Sequence, residues 1–124
     1  MKIKNHYELE VYKLSFQAAM EIYEITRNFP KEELYSLTDQ IRRSSRSVSS
    51  NLAESFRKRR YRKAFIAKLS DSEAEAAETQ VWLDFSYKCK YITKETYDNL
   101  IDKYDHILAM IVNMIRDPDK WIIK

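Results

Sequence analysis

An all-α fold, arranged as an antiparallel up-down four-helix bundle, is what this sequence predicts, and three observations predict it. Gly is absent and Pro occurs only twice in 124 residues, so the positive-φ turns of β-hairpins have almost no supply of their preferred residue. Apolar residues recur at three- and four-residue spacing over long stretches rather than alternating. The breaks between those stretches carry helix stop and start signals at Asn28-Phe29-Pro30, at the basic run 57–63, at Thr93 and at Asp117-Pro118. One domain accounts for residues 1–124.

The first helix is expected over 9–27. Leu9, Tyr12, Phe16, Met20 and Tyr23 form one apolar stripe, and Val11, Leu14, Ala18, Ile22 and Ile25 form a second on the far side. Pro30 followed by Glu32 and Glu33 suits the first turn of a second helix, because Pro lacks only an unbonded N–H and the acids face the positive dipole end. That helix is expected over 30–56 with the seam Leu34, Leu37, Ile41, Ser45, Val48, Leu52 and Phe56, whose centre is small. A third helix over 62–90 again carries two stripes: Phe65, Leu69, Ala76, Leu83 and Tyr87 on one side, Ala67, Ala74, Val81 and Phe85 on the other. Thr93 caps a fourth, with the seam Tyr97, Ile101, Tyr104, Leu108, Ile111 and Ile115, and Asp117-Pro118 ends it.

A bundle needs one inward stripe per helix, so the second stripes of the first and third helices call for another partner. Self-association supplies it, since a contiguous exposed apolar surface is uncommon on a soluble monomer. Against this stands a tight bundle whose wide stripes fill the grooves between helices. The polar residues His6, Glu8 and Glu10 lie where a signal peptide would need an apolar core, and no segment has the ~20 apolar residues of a membrane span. The single Cys89 fits a reducing compartment. A cytoplasmic protein without a membrane partner is expected.

Charge is segregated. Residues 40–68 hold ten of the 22 Lys and Arg and one acid, Glu54, for a net +9, while the rest of the chain is −6. A one-signed field attracts polyanions over roughly 8–10 Å at physiological salt and gives sequence-independent affinity for phosphates. On the second helix Arg42, Arg46 and Arg57 lie within about 60° of one another with Ser49, Ser50 and Ala53 between them. Guanidinium groups make bidentate contacts to phosphate oxygens, and small neighbours permit close approach. Arg43 adds to this surface, and Arg57, Lys58, Arg59, Arg60, Arg62 and Lys63 extend it through the turn. Tyr61, amid these cations, reads as an anchor of the turn against the bundle ahead of a stacking platform for an unpaired base. The rival partner is an acidic protein docked on the same face.

On another face Gln40, Ser47, Asn51 and Glu54 share heptad-type spacing, a pattern suited to an interhelical hydrogen-bond network that fixes register or subunit geometry, or else to plain solvent exposure. No nucleophile or base accompanies them, so a catalytic role is set aside. The wider inventory also argues against an enzyme. There is no phosphate-binding loop, no Glu-x-x-His, no His-Cys metal spacing and no dinucleotide glycine pattern. His6 lies near a terminus expected to fray, and His106 reads as a partly buried structural residue. Asp71, Glu73, Glu75 and Glu78 read as a solvated or ion-paired face. No cofactor, metal or catalytic residue is expected.

The run from Phe29 through Ser44, FPKEELYSLTDQIRRS, followed by Ser47-Val48 and Asn51-Leu52-Ala53-Glu54, resembles the bacterial four-helix-bundle proteins encoded by intervening sequences in 23S ribosomal RNA genes. Ala76-Ala77-Glu78-Thr79-Gln80-Val81-Trp82-Leu83 and Tyr91-Ile92 extend the resemblance over nearly the whole chain. It implies a homopentamer, similar to the accessory proteins of diversity-generating retroelements, which use a basic pentameric barrel to engage RNA and a reverse transcriptase. The resemblance therefore implies RNA rather than DNA, and a polymerase or reverse transcriptase as the kind of acidic partner. The family's recurring polar positions fall on Gln40, Arg42, Arg43, Ser47, Asn51 and Glu54. Two departures stand out, Ser55 and Lys90, where the family commonly has Gly. Loss of Gly weakens a left-handed helix cap, so the turns inferred from the family are not carried over.

Overall fold

Four helices, α1 (Glu10–Thr26), α2 (Leu37–Arg57), α3 (Arg62–Lys88) and α4 (Lys94–Arg116), form the protein in a computed structural model that describes residues 3–123. Short 3-10 turns at His6–Glu8, Lys31–Glu33 and Pro118–Lys120 complete it, and the described residues include no strand. Cross-helix pairs set the directions. Ser15 meets Ser49 and Thr26 meets Arg42, so α1 and α2 are antiparallel. Ser44 meets Thr79 and Asn51 meets Lys68, which runs α3 back along α2. Asp84 meets Tyr97 and Gln80 meets Asp105, while Glu21 meets Lys103 and closes α4 onto α1. The bundle is up-down.

The core lies on the inner lines of all four helices. On α1 the buried line is Val11, Ser15, Ala18, Ile22 and Thr26. The bulkier stripe faces out at its middle, with Phe16 51% and Met20 46% exposed. On α3 the buried line is Phe65, Leu69, Ser72, Ala76, Thr79, Leu83 and Ser86, and Val81 and Phe85 stay 45% and 53% exposed. Hydroxyls fill the inner line because helices with small contact residues approach closely and can bond each other's backbones. Ser72 Oγ donates to the Val48 carbonyl at 2.8 Å, Thr79 Oγ1 lies 2.8 Å from Ser44 Oγ, and the Ser15 and Ser49 hydroxyls are 2.9 Å apart. Ser45, the small centre of the predicted α2 seam, is buried and bonds back to the Arg42 carbonyl at 3.1 Å, while the cross-helix hydroxyl contacts use Ser44 and Ser49 on either side of it.

Two boundaries and one seam depart from expectation. The second helix does not run on from Pro30. Lys31–Glu33 is a 3-10 turn, Ser36 leaves helical geometry at φ −125° and ψ −102°, and α2 starts at Leu37, leaving Leu34 outside and exposed. Glu33 reaches forward as the cap, accepting from Ser36 Oγ at 2.6 Å and Leu37 N at 3.4 Å. The third helix stops at Lys88 through a left-handed residue, Lys90 at φ 65°, with Tyr91 N bonded to the Ser86 carbonyl and Lys90 N to that of Tyr87, both at 2.9 Å. This is the Schellman pattern that glycine usually serves, retained here on lysine. Near the N-terminus Asn5 Oδ1 accepts from Tyr7 N while Glu8 Oε2 accepts from Asn5 N, a capping box, and the His6 ring packs against Tyr7 and Tyr12. On α4 the buried line is Leu100, Tyr104, Ile107, Ile111 and Met114, so Tyr97, Ile101, Leu108 and Ile115 of the predicted seam flank the core rather than fill it. Thr93 does cap α4, accepting from Thr96 N at 3.1 Å.

Candidate nucleic-acid interface

The expected cations fall into two groups. Arg42, Arg59 and Arg62 are engaged within the subunit. Arg42 Nε donates to Thr26 Oγ1 at 2.8 Å, and its guanidinium lies 5.0 Å from the centroid of the Tyr23 ring, which Arg46 also approaches at 6.0 Å. Arg59 turns inward over the Phe56 ring at 3.6 Å, where burial first and then the neighbouring Arg57 charge push its pKa down. Arg62 is ion-paired to Asp119 at the end of the chain.

Arg43, Arg46, Arg57, Lys58, Arg60 and Lys63 are exposed, and among the described residues none has a carboxylate ion-pair partner. They occupy the outer side of α2 and the turn into α3, so α2 acts as the spine of the surface. Phosphate contact needs this uncompensated charge, because a cation already bonded to a carboxylate must break that bond first. Beside them, Tyr12, Phe16, Ala19 and Met20 from α1 and Arg46, Ser49, Ser50 and Ala53 from α2 line a groove of about 330 Å³.

Two sequence readings change here. Tyr61 does not anchor the turn: its side of the turn faces solvent and the residue is 67% exposed. His106 is exposed rather than partly buried. Sequence reasoning also missed Tyr23 and Thr26 as the residues that engage Arg42, and Asp119 as the residue that engages Arg62. Thr26 and Asp119 lie 16 and 57 positions from their arginines, beyond any local spacing signal.

Gln40, Ser47, Asn51 and Glu54 line up on the α2 side that borders α3. Lys68 joins two of them, donating to Asn51 Oδ1 at 3.3 Å and ion-pairing Glu54 at 3.3 Å and Asp71 at 3.8 Å. Gln40 lines a shallow hollow with Tyr35, Trp82 and Phe85. The four do not bond one another within the subunit. Among the described residues no group of three or more His, Cys, Asp or Glu is placed to hold a metal ion, and no helix is long and apolar enough to cross a membrane.

Comparison with known proteins adds to this geometry. The family described as 23S rRNA-intervening sequence protein matches residues 7–113. A crystal structure of a protein of unknown function from the S23 ribosomal protein family of Bacteroides thetaiotaomicron is similar at 27% identity, with a TM-score of 0.76 over 86% of this chain and 95% of that one. Comparison with curated proteins gives no match. A match over nearly all of the bundle, including the second helix with its polar and basic faces, is sufficient for assignment: the chain belongs to the 23S rRNA-intervening sequence protein family.

Proposed function

We propose that this protein is a non-enzymatic, cytoplasmic nucleic-acid-binding bundle that works as a homo-oligomer, a pentamer by the family resemblance, with RNA as its partner. The observation that carries the reading is the set of six exposed cations, Arg43, Arg46, Arg57, Lys58, Arg60 and Lys63, that lack carboxylate partners among the described residues and lie along α2, in the following turn and at the start of α3. The family's name, which sets it beside 23S rRNA, favours RNA over DNA. The outward stripes of α1 and α3, with Phe16, Met20, Val81 and Phe85 in solvent, support self-association, because each would lose water contact against a second copy. A ring repeats the basic surface, and repetition raises affinity for a long RNA through effective concentration.

The test is binding of the purified protein to labelled single-stranded RNA across a salt series. Log affinity should fall with log salt by about 0.7 for each phosphate neutralised. Replacing Arg43, Arg57, Arg60 and Lys63 together by Ala should make the slope shallower with helix content and mass unchanged. Arg42 is left alone because its bond to Thr26 is internal. A wild-type protein that binds neither RNA nor DNA at low salt would overturn the reading and leave the acidic-protein partner as the occupant of the basic face.

A further inference from the structure

The turn between α2 and α3 is braced on its inner side and open on its outer side. Arg59 Nε donates to the Phe56 carbonyl at 2.9 Å, and the Arg59 carbonyl accepts from Ile123 N at 3.0 Å. Arg59 Nη1 reaches the Trp121 carbonyl at 3.5 Å, and Arg62 pairs with Asp119. The C-terminal segment thus holds the turn from beneath with three contacts on two residues, Arg59 and Arg62.

On the outer side stands Tyr61, the residue before α3. Its backbone is extended, φ −120° and ψ 101°, and is bonded at both ends: Tyr61 N donates to the Lys58 carbonyl at 3.0 Å, and the Tyr61 carbonyl accepts from Phe65 N at 2.8 Å. The ring stacks on no other aromatic ring and the hydroxyl makes no hydrogen bond among the described residues, although 67% of the residue meets water. Its chain neighbours Arg57, Lys58, Arg60 and Lys63 are the exposed cations without carboxylate partners. A packing role does not account for a ring so placed.

An exposed aromatic ring on a bonded backbone, set among uncompensated cations, suits one class of ligand. The cations hold successive phosphates, and the π-face takes a base that is free to leave its stack, whatever its identity. A duplex offers phosphates but keeps its bases stacked, so it gains nothing from the ring. We propose that Tyr61 is a stacking platform for an unpaired base, and that the ligand of the α2–α3 turn is single-stranded nucleic acid. This rests on the nucleic-acid reading above and goes beyond it in naming the strand state and the side chain that selects it.

The experiment uses the purified protein as it assembles in solution and two fluorescent probes, a single-stranded oligouridine of about 20 nucleotides and a blunt RNA duplex with the same number of phosphates. Tyr61→Ala should weaken binding of the single strand roughly 5- to 100-fold, the loss of one base–aromatic stack. Duplex binding and the salt slope should not move, because no charge is removed, and Tyr61→Phe should restore the wild-type affinity. Equal loss on both probes, no loss on either, or a wild-type preference for the duplex would overturn the stacking role while leaving nucleic-acid binding in place. Failure of the wild-type protein to bind either probe at low salt would overturn both.

Discussion

The Tyr91 hydroxyl donates to Glu33 Oε2 at 2.9 Å, joining the connection before α2 to the connection before α4 across 58 positions of chain. The same carboxylate caps α2 through Ser36 and Leu37. The Ser36 and then the Tyr91 hydrogen bonds hold the Glu33 carboxyl below the usual carboxylate range, and the bond to Glu33 pushes the Tyr91 phenol up to about 12.

The sign of each shift gives a pH window. Glu33 is depressed in the folded state, so its contribution is present above the unfolded carboxylate value and is lost as pH falls through the folded one. Tyr91 is raised, so its contribution is complete below about 10 and is lost as pH rises towards about 12. Tyr91→Phe should lower the urea midpoint at neutral pH and flatten the alkaline fall of stability between those values. The Tyr97→Phe variant is the comparison, since Asp84 pushes Tyr97 up to about 12 in the same way. An alkaline profile unchanged in Tyr91→Phe would show that the bond does not persist in solution.

Lys90 sits at φ 65°, where a side chain with a Cβ is held at a cost of about 1 kcal/mol or more. Lys90→Gly should therefore stabilise the subunit by about 0.5–1 kcal/mol, after the greater freedom of unfolded glycine is subtracted. Equilibrium denaturation measures it, and destabilisation would mean that the left-handed cap is not the solution geometry.

Tyr104 is fully buried on α4 with its hydroxyl unpartnered among the described residues, and burial first and the Glu21 charge second push its pKa up. Removing an unbonded buried hydroxyl relieves a desolvation cost, so Tyr104→Phe should be neutral or stabilising by up to about 2 kcal/mol. A loss of more than about 1 kcal/mol in the denaturation midpoint would reveal a water-mediated bond to the hydroxyl.

Val81→Glu places a charge on the outward stripe of α3 beside Phe85 without touching the buried line. Light scattering should show mass falling towards the 14.9 kDa of one chain while helix content is retained. A wild-type protein that already runs at that mass at micromolar concentration would remove self-association from the reading.

Periodicity and punctuation were enough to determine the number of helices, their approximate ends at Thr93 and Asp117, and the α2 seam from Leu37 to Phe56, because these depend on spacing and on capping chemistry within a few residues. The charge segregation on 40–68 was legible for the same reason, being a property of composition along the chain. Periodicity fixes angles within a helix but not its rotation against its neighbours. Only the tertiary structure decided that Val11, Ala18 and Ile22 face inward while Phe16 and Met20 face water, and that α4 turns Leu100 and Met114 to the core. Nor does composition show which cations are already spent. Arg42, Arg59 and Arg62 looked equal to Arg43, Arg57 and Arg60 in sequence, and they differ because Thr26, Trp121 and Asp119, remote in the chain, arrive beside them when the bundle closes. Tyr61 was decided in the same way: the C-terminal segment meets Arg59 and Arg62 of its turn, and Tyr61 between them is left exposed.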